Sequence, residues 1–183
     1  MEIEIKAKLA DISEAMEKLK ARGCVFSAPK TQDDMVWVEK TGTLQEFLSN
    51  KVFLRIRIQN GEKVIMTAKK SKADTGNASL VKREHEVTVN SAEEARGILE
   101  MMGLKEMVRT VKRRQTTEYK GFEICIDEVE GLGSFIELEK ISEKEEAEAI
   151  QKEMLEFLQT LGVQPGDQVQ KGYDILVLEK KGF

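Results

Sequence analysis

The sequence predicts an α+β fold of antiparallel strands, each apolar on one face and charged on the other, backed by amphipathic helices. Three observations carry this. Seven stretches alternate apolar and charged or polar residues with period two, the signature of a strand with two unlike faces. Asn60-Gly61, Gly121 and the Gly131/Gly133 pair stand between such stretches as turn signals. Three capped segments carry single apolar stripes, enough to cover one side of a sheet.

The first strand, residues 2–9, puts Glu2, Glu4, Lys6 and Lys8 on one face and Ile3, Ile5, Ala7 and Leu9 on the other. Asp11, with Glu14 three places on, caps a helix over 12–22 that Gly23 ends. Val25-Phe26 and Met35–Val38 read as short strands around Pro29, while 39–51 reads as a polar loop or flap. Residues 52–59 and 63–70 form a hairpin, with Arg55 and Arg57 opposite Leu54, Ile56 and Ile58. A loop with Gly76 and Asn77 leads to a strand over 82–89, where Glu84, Glu86 and Thr88 oppose His85, Val87 and Val89. On that parity Val87 is buried, and Val87→Asp is expected to harm folding. Ser91 with Glu94 opens a helix to about Met102. Strands follow over 108–119, 122–128 and 135–140, the last repeating the opening pattern with Glu137 and Glu139 on one face. Ser142 with Glu145 opens the longest helix, to about Leu161, and residues 172–176 form a final turn or strand.

The 183 residues suit a single domain spanning 1–183 that buries its own core. With 34% charged residues against an ordinary ~25%, many charges must lie on faces of elements. A net charge of −4 argues against general nucleic-acid binding. Cys24 and Cys125 are too few for a disulfide framework and lack zinc-site spacing, so both read as small hydrophobes in a reducing cytoplasm. No signal peptide and no membrane span are expected. Trp37 reads as core, and His85, on the apolar side of its strand, as structural.

The charged faces turn either to solvent, as an open sheet, or inward, as a closed barrel. Two details favour closure. Signs are sorted by strand: Arg55 with Arg57 and Lys112 with Arg114 are cation pairs, Glu2 with Glu4 and Glu137 with Glu139 anion pairs. A solvated face is usually interspersed in sign. Closure also removes sheet edges. Clustered carboxylates suit Mg2+ or Mn2+, and clustered guanidinium and ammonium groups suit phosphate oxygens. Both together imply a metal–polyphosphate ligand. No Walker-type glycine loop is present, so side chains would hold the phosphates.

These residues match a known pattern. Glu2-x-Glu4-x-Lys6, Leu54-Arg55-Ile56-Arg57, Thr67-x-Lys69, Arg83-Glu84-His85-Glu86, Lys112-x-Arg114, Asp127-Glu128-Val129-x-Gly131-Leu132-Gly133, Phe135-Ile136-Glu137-Leu138-Glu139 and Gly172-Tyr173-Asp174-Ile175-Leu176 occur in the order seen in the CYTH family. The chain resembles these triphosphate tunnel metalloenzymes over nearly its whole length, most closely the prokaryotic branch of class IV adenylyl cyclase-like proteins. The resemblance implies a closed eight-stranded antiparallel β-barrel, a triphosphate tunnel, with flanking helices. It implies that Glu2, Glu4, Glu137 and Glu139 hold Mg2+ or Mn2+, with Asp127 and one of Glu84 or Glu86 assisting. Lys6, Arg55, Arg57, Lys69, Lys112 and Arg114 would grip phosphates, with Lys8, past the motif, a weaker candidate. Arg83 has strand parity pointing outward and is as well suited to a structural role. Catalysis would rest on Glu2, Glu4, Lys6, Glu137 and Glu139.

Two reactions suit such a site: hydrolysis of a triphosphate, or cyclisation of ATP to cyclic AMP and pyrophosphate. The complete Glu137-x-Glu139 pair resembles the family's triphosphatases and favours hydrolysis. A non-catalytic polyphosphate binder is the third alternative. The expected partner is a small-molecule triphosphate, with no nucleic acid and no membrane, and a homodimer is left open. Trp37, Phe47 and Phe53 are the aromatic surfaces available for stacking a base.

Overall fold

The computed structural model describes residues 2–70, 83–143 and 146–183, apart from the side chains of Glu2 and Arg83. Its elements run β1 (Glu2–Leu9), α1 (Ile12–Ala21), β2 (Lys30–Val38), α2 (Leu44–Leu48), β3 (Val52–Gln59), β4 (Lys63–Lys70), β5 (Arg83–Val89), α3 (Ala92–Met101), β6 (Lys105–Tyr119), β7 (Phe122–Val129), β8 (Gly133–Ile141), α4 (Ala147–Thr160), a 3-10 turn (Pro165–Asp167) and α5 (Tyr173–Lys180). The strands make one eight-stranded antiparallel sheet in the order β1-β8-β7-β6-β2-β3-β4-β5, flanked by helices. The chain divides into two compact units, Met1–Pro29 with Arg113–Gln170 and Lys30–Lys112 with Lys171–Phe183, and the long β6 runs through both.

In the first unit β1, β8 and β7 pair in a register that aligns Ile5, Leu138 and Ile124 on one face and Lys6, Glu137 and Cys125 on the other. The apolar face carries the core: Ile3, Ala7, Ile124, Ile126, Ile136 and Leu138 are buried against Leu19 of α1 and Ile150, Met154 and Leu158 of α4. Asp11 Oδ1 accepts the Glu14 backbone N–H at 3.0 Å, the expected cap. The last helix of this unit starts later than expected. Glu146 precedes Ala147 without a side-chain cap, and the Ser142 hydroxyl donates to the Glu146 carboxylate instead. Glu145 lies outside the described residues.

The sheet is not the closed barrel expected from the sequence. Its order ends at β1 and β5, which share no pairing among the described residues. The free edge of β1 is occupied by the segment after the 3-10 turn: the Val169 N–H donates to the Lys6 carbonyl at 2.8 Å, and Ala7 bridges Gln168. A backbone covering an edge removes the same unpaired groups that closure would remove.

In the second unit the β3–β4 hairpin turns at Asn60 and Gly61, with φ +54° and +74°, the left-handed pair that a type I′ turn requires. Met35, Trp37 and Ile56 bury against Ala95 and Leu99 of α3. The Ser91 hydroxyl caps α3 by accepting the Glu94 N–H. Two expectations are corrected here. No strand forms at Val25-Phe26, and β2 begins at Lys30, because Gln32 and Asp34 bury on its polar face. Residues 39–51 hold a short helix, capped by Thr43 and fastened by Phe47, which is buried with Val36, Val38, Val108 and Leu178. The tail is helical, and α5 packs on α2. The expected Gly76–Asn77 loop and Lys82 lie outside the described residues.

Val87 is 56% exposed, contrary to the sequence reading. It does alternate with Glu84 and Glu86, but β5 is the last strand of the sheet, and only Val89 near its end packs toward α3. His85 is exposed as well. Val87→Asp is therefore expected to change stability by no more than about 0.5 kcal/mol, read as an unshifted urea midpoint.

Candidate functional site

Part of the polar strand faces is withdrawn from solvent: Asp34, Thr67, Lys112, Asp127 and Glu137 are buried. Each unit holds its own charge cluster, described in turn.

In the first unit the register lines up two neighbouring rows. Lys6, Glu137 and Cys125 lie directly across β1, β8 and β7, and Glu4, Glu139 and Glu123 form the next same-face row. The Lys6 ammonium stands 3.0 Å from Glu137 Oε1 and 3.3 Å from Glu4 Oε1. The Arg114 guanidinium, from β6, donates to both Asp127 oxygens at 2.7 and 2.5 Å and also to Glu137 Oε2. Asp127 is fully buried and Glu137 is 5% exposed. Burial would lower the Lys6 ammonium, but Glu137 and Glu4 outweigh it and raise it above its ordinary value. Burial likewise opposes the Arg114 charge, and its bonds to Asp127 with the charge of Glu137 hold it above the ordinary arginine range. These two cations are thereby fixed as charged groups.

A ligand oxygen or sulfur from each of Glu137, Glu139 and Cys125 lies within 4.8 Å of the others. The carboxylates fit a hard divalent ion such as Mg2+ or Mn2+, with Glu4 directly across from Glu139. Asp127, expected to assist, has both oxygens hydrogen-bonded by Arg114. Cys125 is buried, as expected of a small hydrophobe, but on the charged face rather than in the apolar core. Burial chiefly, then Glu139, Glu137 and Asp127 against the pull of Arg114, push its thiol up from the usual range. Its parity with Glu123 and Asp127 was the sequence signal that placed it on the charged face. Cys24 is buried in the apolar core as expected.

The second unit gathers cations that already have partners. Arg57 Nε and Nη2 donate to the Asp34 oxygens at 2.6 and 2.7 Å. Arg55 Nη2 donates to Thr67 Oγ1 at 3.1 Å, which donates on to Glu86 at 3.3 Å. Lys69 pairs with Glu84 at 2.7 Å. The Lys112 ammonium lies 4.9 Å from the centre of the Tyr173 ring, and Lys112 is 6% exposed. Burial and the neighbouring Arg57 pull Arg55 below the ordinary arginine range, and its Nε has no hydrogen-bond partner. Glu84 and Glu86, two apart on β5, share the face of Lys69 and Arg55, as their strand parity predicts.

Asp34 was missed in the sequence because β2 was begun at Met35. Burial works against its carboxylate, but the bonds and charge of Arg57, with Arg55 and Lys112, hold it below the usual carboxylate range. A depressed folded-state pKa contributes stability above the unfolded value of about 3.9, and that contribution is lost as the pH falls through the folded value. The urea midpoints of wild type and Asp34→Asn are therefore expected to lie furthest apart near pH 6 and to converge below pH ~4. A gap that held constant through the acid range would count against this.

Of the remaining sequence candidates, Lys8 is exposed, opposite Phe135 in the β1–β8 register. The side chains of Glu2 and Arg83 lie outside the described residues. No helix among the described residues is long and apolar enough to cross a membrane.

The CYTH domain model matches residues 1–173, and the chain belongs to the CYTH family. Its members are metal-dependent, triphosphate-processing enzymes, adenylyl cyclase-like or triphosphatase. The chain is 34% identical over 184 residues to the Methanocaldococcus jannaschii protein named "Putative adenylate cyclase MJ0240", covering 100% of this chain and 99% of the relative. The structure of the PH1819 protein from Pyrococcus horikoshii superposes with a TM-score of 0.78 at 31% identity, covering 98% of this chain and 99% of that one. The fold also matches, at a TM-score of 0.63 and 18% identity, a Hippeastrum adenylyl cyclase-named protein, HpAC1, described as having a dominant triphosphatase activity. That match covers 100% of this chain and 96% of the Hippeastrum chain.

Proposed function

We propose that this protein hydrolyses triphosphates, inorganic tripolyphosphate or an organic triphosphate, with Mg2+ or Mn2+. The observation that carries the proposal is the complete Glu137/Glu139 pair, set in a buried cluster where Lys6 and Arg114 hold Glu137 in place. Glu4, Glu137 and Glu139, with Glu2 from the same strand, are assigned as the metal-holding carboxylates. A divalent ion there supplies positive charge to polarise phosphoryl oxygens. Arg55, Arg57, Lys69 and Lys112 are assigned to the phosphates. They bind by exchanging a carboxylate partner or ring face for phosphate oxygens, Arg55 with its unpaired Nε to offer. Phosphoryl transfer asks for positioning and neutralisation rather than covalent chemistry, and these cations supply both.

ATP cyclisation is the second reading, favoured by the name of the Methanocaldococcus jannaschii relative. One assay separates the two: incubate with tripolyphosphate, ATP and thiamine triphosphate, each with Mg2+ and with Mn2+, and identify products by phosphorus NMR. Orthophosphate is expected. Cyclic AMP with pyrophosphate from ATP would move the assignment to cyclisation, and intact substrates throughout would leave only a binding role.

A further inference from the structure

The chain holds two cysteines, and the fold treats them differently. Cys24 is buried in the apolar cluster of Leu19, Ile124 and Phe157. Cys125 is 0% exposed on the charged face of β7, directly across from Glu137 and diagonal to Glu139. Its Sγ lies within 4.8 Å of an oxygen of each of these carboxylates. The thiol donates to Glu123 Oε1 at a long 3.7 Å. A cysteine that served packing alone would sit among apolar side chains, as Cys24 does. Mg2+ gives no reason for sulfur at this position either, because it takes oxygen ligands.

We infer that Cys125 is a specificity-determining ligand: with Glu137 and Glu139 it gives the site affinity for a thiophilic divalent ion, Zn2+ or Cd2+, in competition with Mg2+ and Mn2+. The inference rests on the assignment of Glu137 and Glu139 to a metal made above. Zn2+ takes thiolate sulfur at about 2.3 Å and carboxylate oxygen at about 2.0–2.2 Å, often from three protein ligands. Tetrahedral bonds of that length set the ligand atoms about 3.5 Å apart. Side-chain rotation on two paired strands covers the difference from 4.8 Å. The Glu137 oxygens already accept from Lys6 and Arg114, but a carboxylate has about four lone-pair sites, so it can still serve an ion. On binding, a metal–sulfur bond forms and the thiol proton passes to solvent, driven by the ion's own charge. An ion that favours sulfur gains this third bond, and Mg2+ gains nothing from it.

The test reads absorbance rather than turnover. Cd2+ is titrated into wild type, Cys24→Ala and Cys125→Ser, the ultraviolet sulfur-to-metal charge-transfer band is followed, and excess Mn2+ is added at the end. Wild type and Cys24→Ala are expected to develop the band and to lose it to Mn2+. Cys125→Ser is expected to develop none, and by calorimetry to bind Zn2+ about 100-fold more weakly, the upper end of what losing an outer-shell partner costs, while its Mn2+ affinity holds. A band that is lost in Cys24→Ala, persists in Cys125→Ser or resists Mn2+ would overturn the inference. So would a wild type that binds Mn2+ but shows no band with Cd2+, which leaves the carboxylate assignment standing. Wild type that bound neither ion would overturn that assignment, and the inference with it. Cys24→Ala leaves Cys125 as the sole thiol, so it decides the matter even if Cys125→Ser does not fold.

Discussion

Asp127→Ala is expected to cost about 3–5 kcal/mol, the toll of removing one partner from a buried ion pair. For a chain of this length that is a fall in Tm of roughly 6–20 °C. Asp127 is fully buried and receives two bonds from Arg114. Without it the guanidinium, itself 15% exposed, keeps only Glu137. Glu137 then faces both Arg114 and Lys6, with Glu4 sharing only the Lys6 charge. Asp127→Asn keeps the shape and one acceptor, so it is expected to fall between wild type and Asp127→Ala. Thermal melts of all three decide it. An Asp127→Ala melt within about 3 °C of wild type would mean that Arg114 is not fixed by this pair.

Much of this arrangement was legible in the chain, for physical reasons particular to each part. The β3–β4 hairpin could be read because Asn60-Gly61 sets both turn and register, and register then decides that Arg55 meets Thr67. β1, β7 and β8 could be read because their apolar faces alternate without interruption. β2 could not be bounded, since Gln32 and Asp34 look like loop residues until the burial of their face is known. α2 is barely more than a turn, and its one buried anchor, Phe47, sits among polar neighbours. Sheet closure could not be read either, because the segment at Gln168 and Val169 that meets β1 carries no strand pattern. Within the candidate site, parity showed which carboxylates share a face with which cations. It could not show the partners, such as the two bonds that Arg114 makes to Asp127.

Glu139→Gln separates function from stability in the opposite sense to Asp127→Ala. Glu139 stands between Glu4 and Glu123 across three strands, and like charges directly opposite one another are destabilising. Neutralising the middle one relieves that repulsion at nearly constant shape. Tm is therefore expected to rise, or to hold within about 2 °C. The same substitution takes a charged oxygen ligand from the Glu137–Glu139–Cys125 group and with it the attraction for a divalent ion. If that group serves the reaction as proposed, kcat/KM for triphosphate hydrolysis should fall by about 100-fold or more, the order of loss when one electrostatic contribution to a transition state is removed. Raising Mg2+ or Mn2+ should recover part of it, because weakened binding is offset by mass action. A variant that stayed fully active would remove Glu139 from the metal-holding set. One that lost its fold would show that the carboxylate row serves packing rather than chemistry.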